Sequence, residues 1–128
     1  MSEAVLDSSA LLALLWNEPG ADRVTAALPG ALLSSVNLAE VLTKLCERGL
    51  SASEGRELVK SLGVVVVDFD ADQAEAAATL RESTRSLGLS LGDRACLALA
   101  RRRNGPALTA DAAWLKAQGF EVRFIRSP

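Results

Sequence analysis

Histidine and tyrosine are both missing from this 128-residue chain. The first absence removes Ser-His-Asp triads, histidine general bases and histidine zinc sites at once. The second removes any tyrosine nucleophile. Cysteine is scarce: Cys46 and Cys96 are far apart and form no C-x-x-C pair. Each falls in an apolar helical pattern, where cysteine behaves as a small buried hydrophobe rather than as a disulfide or a thiol catalyst. Chemistry in this chain must then be carried by carboxylates, hydroxyls, lysine or arginine.

Excess charge and long apolar runs are lacking too. The formal net charge is only −2, so no whole-molecule field draws nucleic acid in. RNA contact would need local basic patches or a bound metal. No apolar run approaches the ~20 residues of a membrane span, and no basic stretch precedes Ala4-Val5-Leu6, as a secretory signal would require. A soluble, cytoplasmic protein with no membrane partner is expected. What the chain does carry is aliphatic bulk: hydrophobic residues make up 49% and aromatics only 4%. That balance suits a helix-rich α/β domain and argues against disorder. At this length one domain, residues 1–128, is expected.

Periodicity and punctuation predict alternating strands and helices. A strand at Ala4–Leu6 leads to a helix over Ser8–Trp16, broken by Glu18-Pro19-Gly20, and a second helix over Ala21–Leu28. A strand at Ala31–Ser34 precedes a helix over Asn37–Arg48, whose Leu38, Val41, Leu42, Leu45 and Cys46 share one face. Ser53–Leu62 reads as another helix. Val64–Val67 is a β-branched run of the kind found in strands covered on both faces. Helices at about Ala71–Thr84 and Leu91–Arg103, a strand at Ala107–Thr109, a helix from Asp111 to Gln118 and a strand at Val122–Ile125 complete the chain. Such alternation implies a mainly parallel sheet with helices on both faces.

Four acids take similar addresses in that scheme. Asp7 follows the first strand, and Asp111 lies just beyond the strand Ala107–Thr109. Glu40 and Asp93 fall in the first turns of their helices. Open α/β sheets build sites outside the carboxyl ends of their strands, where these positions converge. Two carboxylates ~4 Å apart at an effective dielectric of ~20 repel by about 4 kcal/mol, so a cluster of anions needs a cation. Mg²⁺ or Mn²⁺ with oxygen ligands meets that need. Such an ion lowers the pKa of water, orients a phosphate and stabilises a leaving oxygen. Each acid also has an ordinary use. Asp7 and Asp111 stand where helix N-caps stand. Asn37-Leu38-Ala39-Glu40 and Ser90-Leu91-Gly92-Asp93 both look like capping boxes. Spacing alone leaves both uses open.

Val5-Leu6-Asp7-Ser8-Ser9-Ala10-Leu11-Leu12-Ala13 resembles the opening of PIN domains, especially VapC-type toxins. Asn37-Leu38-Ala39-Glu40-Val41, Gly92-Asp93-Arg94-Ala95 through Ala100, and Leu108-Thr109-Ala110-Asp111-Ala112-Ala113-Trp114 are similar to that family's other motifs, in order and at similar intervals. The resemblance spans Val5 to Ile125. It implies a PIN-like three-layer α/β/α fold and an Mg²⁺- or Mn²⁺-dependent endoribonuclease that hydrolyses RNA as the toxin of a toxin–antitoxin pair. Asp7, Glu40 and Asp93 would be metal ligands and catalytic residues, with Asp111 closing the site directly or through water. Ser8 and Thr109 would be supporting hydroxyls. A cognate antitoxin and a homodimer are the implied partners. Ala112 takes a place where relatives carry arginine, so no phosphate contact is expected there.

Other features compete for attention. Val64–Val67 followed by Asp68-Phe69-Asp70 is similar to the haloacid-dehalogenase motif, which would make Asp68 a nucleophile and Asp70 an acid/base in phosphotransfer. Asp72 stands where that motif has Thr or Val, and a strand end plus helix cap explains the run more simply. Arg101-Arg102-Arg103 complements a helix C-terminus or, with Arg94 or Lys116, meets RNA phosphates. Trp114 is expected in the core, and Trp16 at the buried end of the first helix. Leu11, Leu12, Leu15, Leu42 and Leu45 could offer a groove to a partner's helix, although core packing must claim most of them. Another class stays open, a PIN-like RNA- or protein-binding module that keeps the acids only as caps.

Overall fold

The structure is a computed structural model and describes residues 3–126. Strands β1 (Val5–Leu6), β2 (Leu32–Ser34), β3 (Val65–Val67), β4 (Ala107–Thr109) and β5 (Val122–Phe124) form one sheet in the order β3-β2-β1-β4-β5. Every pairing is parallel. Parallel neighbours cannot be joined by tight turns, which is why helices separate the strands: α1 (Ser8–Leu15), α2 (Ala21–Ala27), α3 (Ser35–Glu47), α4 (Ala52–Ser61), α5 (Ala71–Thr84) and α6 (Leu91–Arg103).

Strand side chains alternate between two cores. Leu6, Leu33 and Leu108 pack with α1 to α4 on one face. Their chain neighbours Val5, Leu32 and Ala107 pack with α5 and α6 on the other. A period of two along each short strand thus divides the protein into three layers. The direction of travel across the sheet reverses after β3. Right-handed crossovers then require the later helices to lie on the opposite face.

Most predicted elements are present within a residue or two. The differences have physical causes. Val64–Val67 does not run through the middle of the sheet: β3 is an edge strand, and Val65 is 50% exposed. The helix expected over Asp111–Gln118 is only a 3₁₀ stretch at Ala112–Lys116, because fully buried Trp114 anchors the turn in the core. Cys46 is exposed on α3, whereas Cys96 is buried as expected. Trp16 is half-buried, with the Arg48 guanidinium 3.9 Å from its ring centroid, a cation–π contact that covers a ring the core does not enclose. The core takes Leu11 and Leu45, leaving Leu12, Leu15 and Leu42 partly covered.

Candidate functional site

Strands β1 and β4 are neighbours at the centre of the sheet, and the chain leaves them in opposite directions, towards β2 and towards β5. Such a switch point opens a crevice at the carboxyl ends of the two strands. Asp7 is the first residue beyond β1, and Asp111 follows two residues after β4.

Asp7 is 3% exposed. Its Oδ2 accepts hydrogen bonds from Ser9 Oγ at 2.5 Å and Thr109 Oγ1 at 3.1 Å. Those hydroxyls are themselves fixed, because Ser9 Oγ accepts from Ala110 N and Thr109 Oγ1 from Asp111 N. The supporting serine is therefore Ser9, not the expected Ser8, since the helix turns the second residue after Asp7 back towards β4. Asp7 stands at the N-cap of α1 but caps nothing with its side chain, and its Oδ1 is buried without a partner. Burial pushes its pKa from 3.8 up to about 6. The Ser9 and Thr109 bonds pull it down, and the charges of Asp93 and Glu40 push it up.

Glu40 reaches the site from α3. That helix begins at Ser35, with Ser34 Oγ capping Val36 N, so Glu40 lies in its second turn rather than its first. Asn37 is consequently no N-cap, and the expected capping box with Glu40 does not form. Asn37 is instead completely buried, and its Nδ2 donates to Glu40 Oε1 at 3.0 Å and to the Gly92 carbonyl at 3.0 Å. Polarity at a position that the periodicity had assigned to a helix start was the available signal.

Asp93 does form its capping box: Ser90 N donates to Asp93 Oδ2, and Asp93 N donates to Ser90 Oγ. Burial raises the Asp93 pKa, the Ser90 bonds oppose this, and the Asp111 and Glu40 charges raise it further. Asp111 caps the 3₁₀ stretch, accepting from Ala113 N through Oδ1. Capping and clustering are thus compatible, because a carboxylate has two oxygens and each cap uses one.

The four acids are close enough to act on one another electrostatically, yet none takes part in an ion pair among the described residues. Among those residues no three acidic or thiol side chains converge into a ready-made metal cage. Instead, Glu40, Asp93 and Asp111 are each held back by a bond to Asn37 or to backbone. Uncompensated carboxylates, an unpartnered oxygen on Asp7 and the lack of histidine fit a hard, oxygen-loving divalent cation. Cys96 is fully buried, and burial, with the charges of Asp7, Asp93 and Glu40, holds its thiol well above the usual range.

The remaining candidates are placed elsewhere. Asp68 and Asp70 are exposed; Asp70 caps α5 by accepting from Gln73 N, with Arg102 at 4.0 Å. Arg94 donates to the Ala77 carbonyl, tying α6 to α5. Arg101 stacks on Phe120 at 4.1 Å and lies eight residues beyond Asp93, about 12 Å along the helix. Lys116 lies in a cleft with Ser83, Ser86 and Gln118, apart from the acids. A cleft of about 440 Å³ adjoins Glu40, lined by Ser8, Leu12, Val36, Ala39, Thr43 and Lys44. A larger one, about 520 Å³ beside β5, contains none of the four acids.

Comparison by sequence with curated proteins finds no significant match. Solved structures are similar over nearly the whole chain. A toxin–antitoxin complex from Klebsiella pneumoniae is 20% identical, with a TM-score of 0.77 over 96% of this chain and 98% of that one. VapC20 from Mycobacterium tuberculosis, a sarcin-ricin loop cleaving toxin, is 25% identical, with a TM-score of 0.73 over 94% and 99%. A DNA-bound VapBC from Salmonella typhimurium is 17% identical, with a TM-score of 0.72 over 96% and 98%. The PIN domain model matches residues 4–119, a span that takes in strands β1 to β4 and all four acids. With that match and this parallel α/β/α fold, the chain belongs to the PIN domain family.

Proposed function

We propose that this protein is an endoribonuclease dependent on Mg²⁺ or Mn²⁺, acting in the cytoplasm as the toxin of a toxin–antitoxin pair. The observation that carries the proposal is the buried Asp7, with one oxygen unpartnered, among three further acids and no paired cation. Its kinship with a family that includes an RNA-cleaving toxin supports the substrate. Asp7, Glu40 and Asp93 would hold the metal, with Asp111 direct or through water. The ion would supply Lewis acidity and an activated water.

The chain's own residues do the positioning. Ser9 and Thr109 lock the Asp7 carboxylate. Backbone caps tether Asp93 and Asp111 while leaving each a second oxygen. Without a cation this surface repels a phosphodiester, so substrate binding and metal loading are coupled through charge. RNA should be cut only with Mg²⁺ or Mn²⁺ present, leaving 5′-phosphate and 3′-hydroxyl ends. Undiminished cleavage in excess EDTA, or 2′,3′-cyclic phosphate products, would refute the mechanism.

The caps seen at Asp93 and Asp111 also suit a second possibility, an inactive module in which these acids only end helices. Calorimetric titration with Mn²⁺ separates the two, because a module without a metal site shows no binding for Asp7→Asn to remove.

Similarity to toxin–antitoxin complexes supports a cognate antitoxin as partner, and the acid cluster offers it a target. An arginine on the partner can bind carboxylates bidentately and displace the metal, while the cleft beside Glu40, with Leu12, offers an apolar foothold. Adding the antitoxin should stop cleavage and weaken Mn²⁺ binding. Equal Mn²⁺ affinity in the complex would mean that the antitoxin blocks RNA instead. A homodimer is proposed as the working form, which sedimentation of the isolated protein would establish or exclude.

A further inference from the structure

We propose that Asn37 and Gly92 act together as a positioning pair for the Glu40 carboxylate, one as a clamp and the other as a gap. This rests on Glu40 belonging to the metal site proposed above. Asn37 is fully buried, and both hydrogens of its amide are spent, one on Glu40 Oε1 and one on the Gly92 carbonyl. Neither partner can donate, so the orientation of the amide is dictated by its neighbours. The opposite side of the same amide, Oδ1, is buried and unpartnered. A residue serving only the core would not leave an acceptor stranded there, and a leucine of similar size would avoid that cost. Retaining Asn makes sense through its donors, which bridge α3 to the first turn of α6 and hold Glu40 against it.

Gly92 is the other half. It is buried in α6 with no positive φ, so backbone conformation does not call for glycine. A Cβ there would run into the Glu40 carboxylate, at 2.6 Å from its Cδ and with its oxygens closer still or equal. The missing side chain is the space that Glu40 occupies, one residue before Asp93. Because the obstacle is the end of a flexible side chain, an alanine at this position would displace Glu40 and leave the helix intact.

Four variants test the pair, each measured by thermal melting and Mn²⁺ calorimetry, with side-chain carbon relaxation of Glu40 without metal added for the two that retain Glu40. Gly92→Ala should keep or raise the melting temperature, since alanine favours a helix, yet weaken Mn²⁺ binding about 10-fold to 100-fold. Asn37→Leu should stay folded, loosen the Glu40 side chain and weaken Mn²⁺ binding over the same range. The double variant Gly92→Ala/Glu40→Ala should bind Mn²⁺ no worse than Glu40→Ala alone, because Gly92 acts only through Glu40. Independent, additive losses would overturn the pair. So would unchanged Glu40 mobility and Mn²⁺ affinity in Asn37→Leu. Glu40→Ala is the separate control: if it binds Mn²⁺ as the wild type does, Glu40 is no ligand, and the pair has nothing to position. Metal-dependent cleavage by the wild type, read in parallel, shows whether the nuclease activity stands apart from either result.

Discussion

Asp7→Asn is expected to abolish RNA cleavage while making the metal-free protein more stable at pH 8. The activity loss follows from the placement of Asp7 at the switch point of the sheet, with an oxygen that no protein group uses. Losing a group that merely supports a ligand costs up to about 100-fold in metal affinity or activity, and losing the ligand should exceed that. The stability gain has the opposite origin. Burial and like charges hold the Asp7 pKa at about 6, against an ordinary 3.8. Ionising it in the folded state therefore costs about 3 kcal/mol. Asparagine removes that charge and keeps an oxygen to accept from Ser9 and Thr109, but sets an amide in the unpartnered position, at about 1–3 kcal/mol. A net gain of about 1 kcal/mol, several degrees in melting temperature for a chain of this size, is expected. If Asp7 were only a helix cap, asparagine would replace it with little change in either quantity. Melting at pH 8 without metal, paired with a cleavage assay, decides the matter.

Stability of the metal-free protein should also fall as pH rises from 4 to 7, and Mn²⁺ should restore it. Below pH 4, Asp7 is protonated whether the chain is folded or unfolded, so it imposes no penalty. Between 4 and 6 the unfolded chain releases its proton while the folded one keeps it, and stability declines. Above the folded pKa the full penalty of about 3 kcal/mol is in place. Glu54 has its pKa lowered by the Ser51 capping bonds, so its contribution runs the other way. Asp93, also raised by burial, adds to the decline, so the difference between wild type and Asp7→Asn reports Asp7 together with its coupling to Asp93 and Glu40. Mn²⁺ at 100 times its dissociation constant should add about 2.7 kcal/mol to the wild type at pH 7.5 and almost nothing to Asp7→Asn. A wild-type curve parallel to that of Asp7→Asn from pH 4 to 7 would show that Asp7 is not held in this strained state.

The four acids could be found without a structure because helices and strands punctuate themselves. Asp7, Asp93 and Asp111 each sit at a boundary that Ser, Gly or a β-run marks in the chain. Boundaries at the carboxyl ends of parallel strands are where α/β sites form, which is what singles these acids out as candidates. The same local signals misplaced Glu40 by a turn. Ser34, Ser35 and Asn37 are all good caps, and only the pairing of β2 with β1 and β3 decides that Ser34 takes the role. Val64–Val67 read as a strand covered on both faces, yet Val65 is half exposed, because a β-branched run reports strand propensity and not the number of its neighbours.

Local chemistry along the chain determined the fold class, the approximate elements, the absence of histidine chemistry and the four carboxylates. These depend on residue type and on neighbours within a few positions, which sequence displays directly. Tertiary structure alone decided that Ser9 rather than Ser8 supports Asp7, that Asn37 reaches Glu40 and Gly92, and that Arg94 is spent on α5. It also decided that Asp93 and Asp111 can cap and face one another's charge at once. Most of these depend on elements that are distant in the chain, as when Asn37 meets Gly92 from 55 positions away and Thr109 joins Ser9 on Asp7 from 102 positions away. No local propensity encodes such a pairing, because it exists only once packing has brought β1, β4, α3 and α6 together.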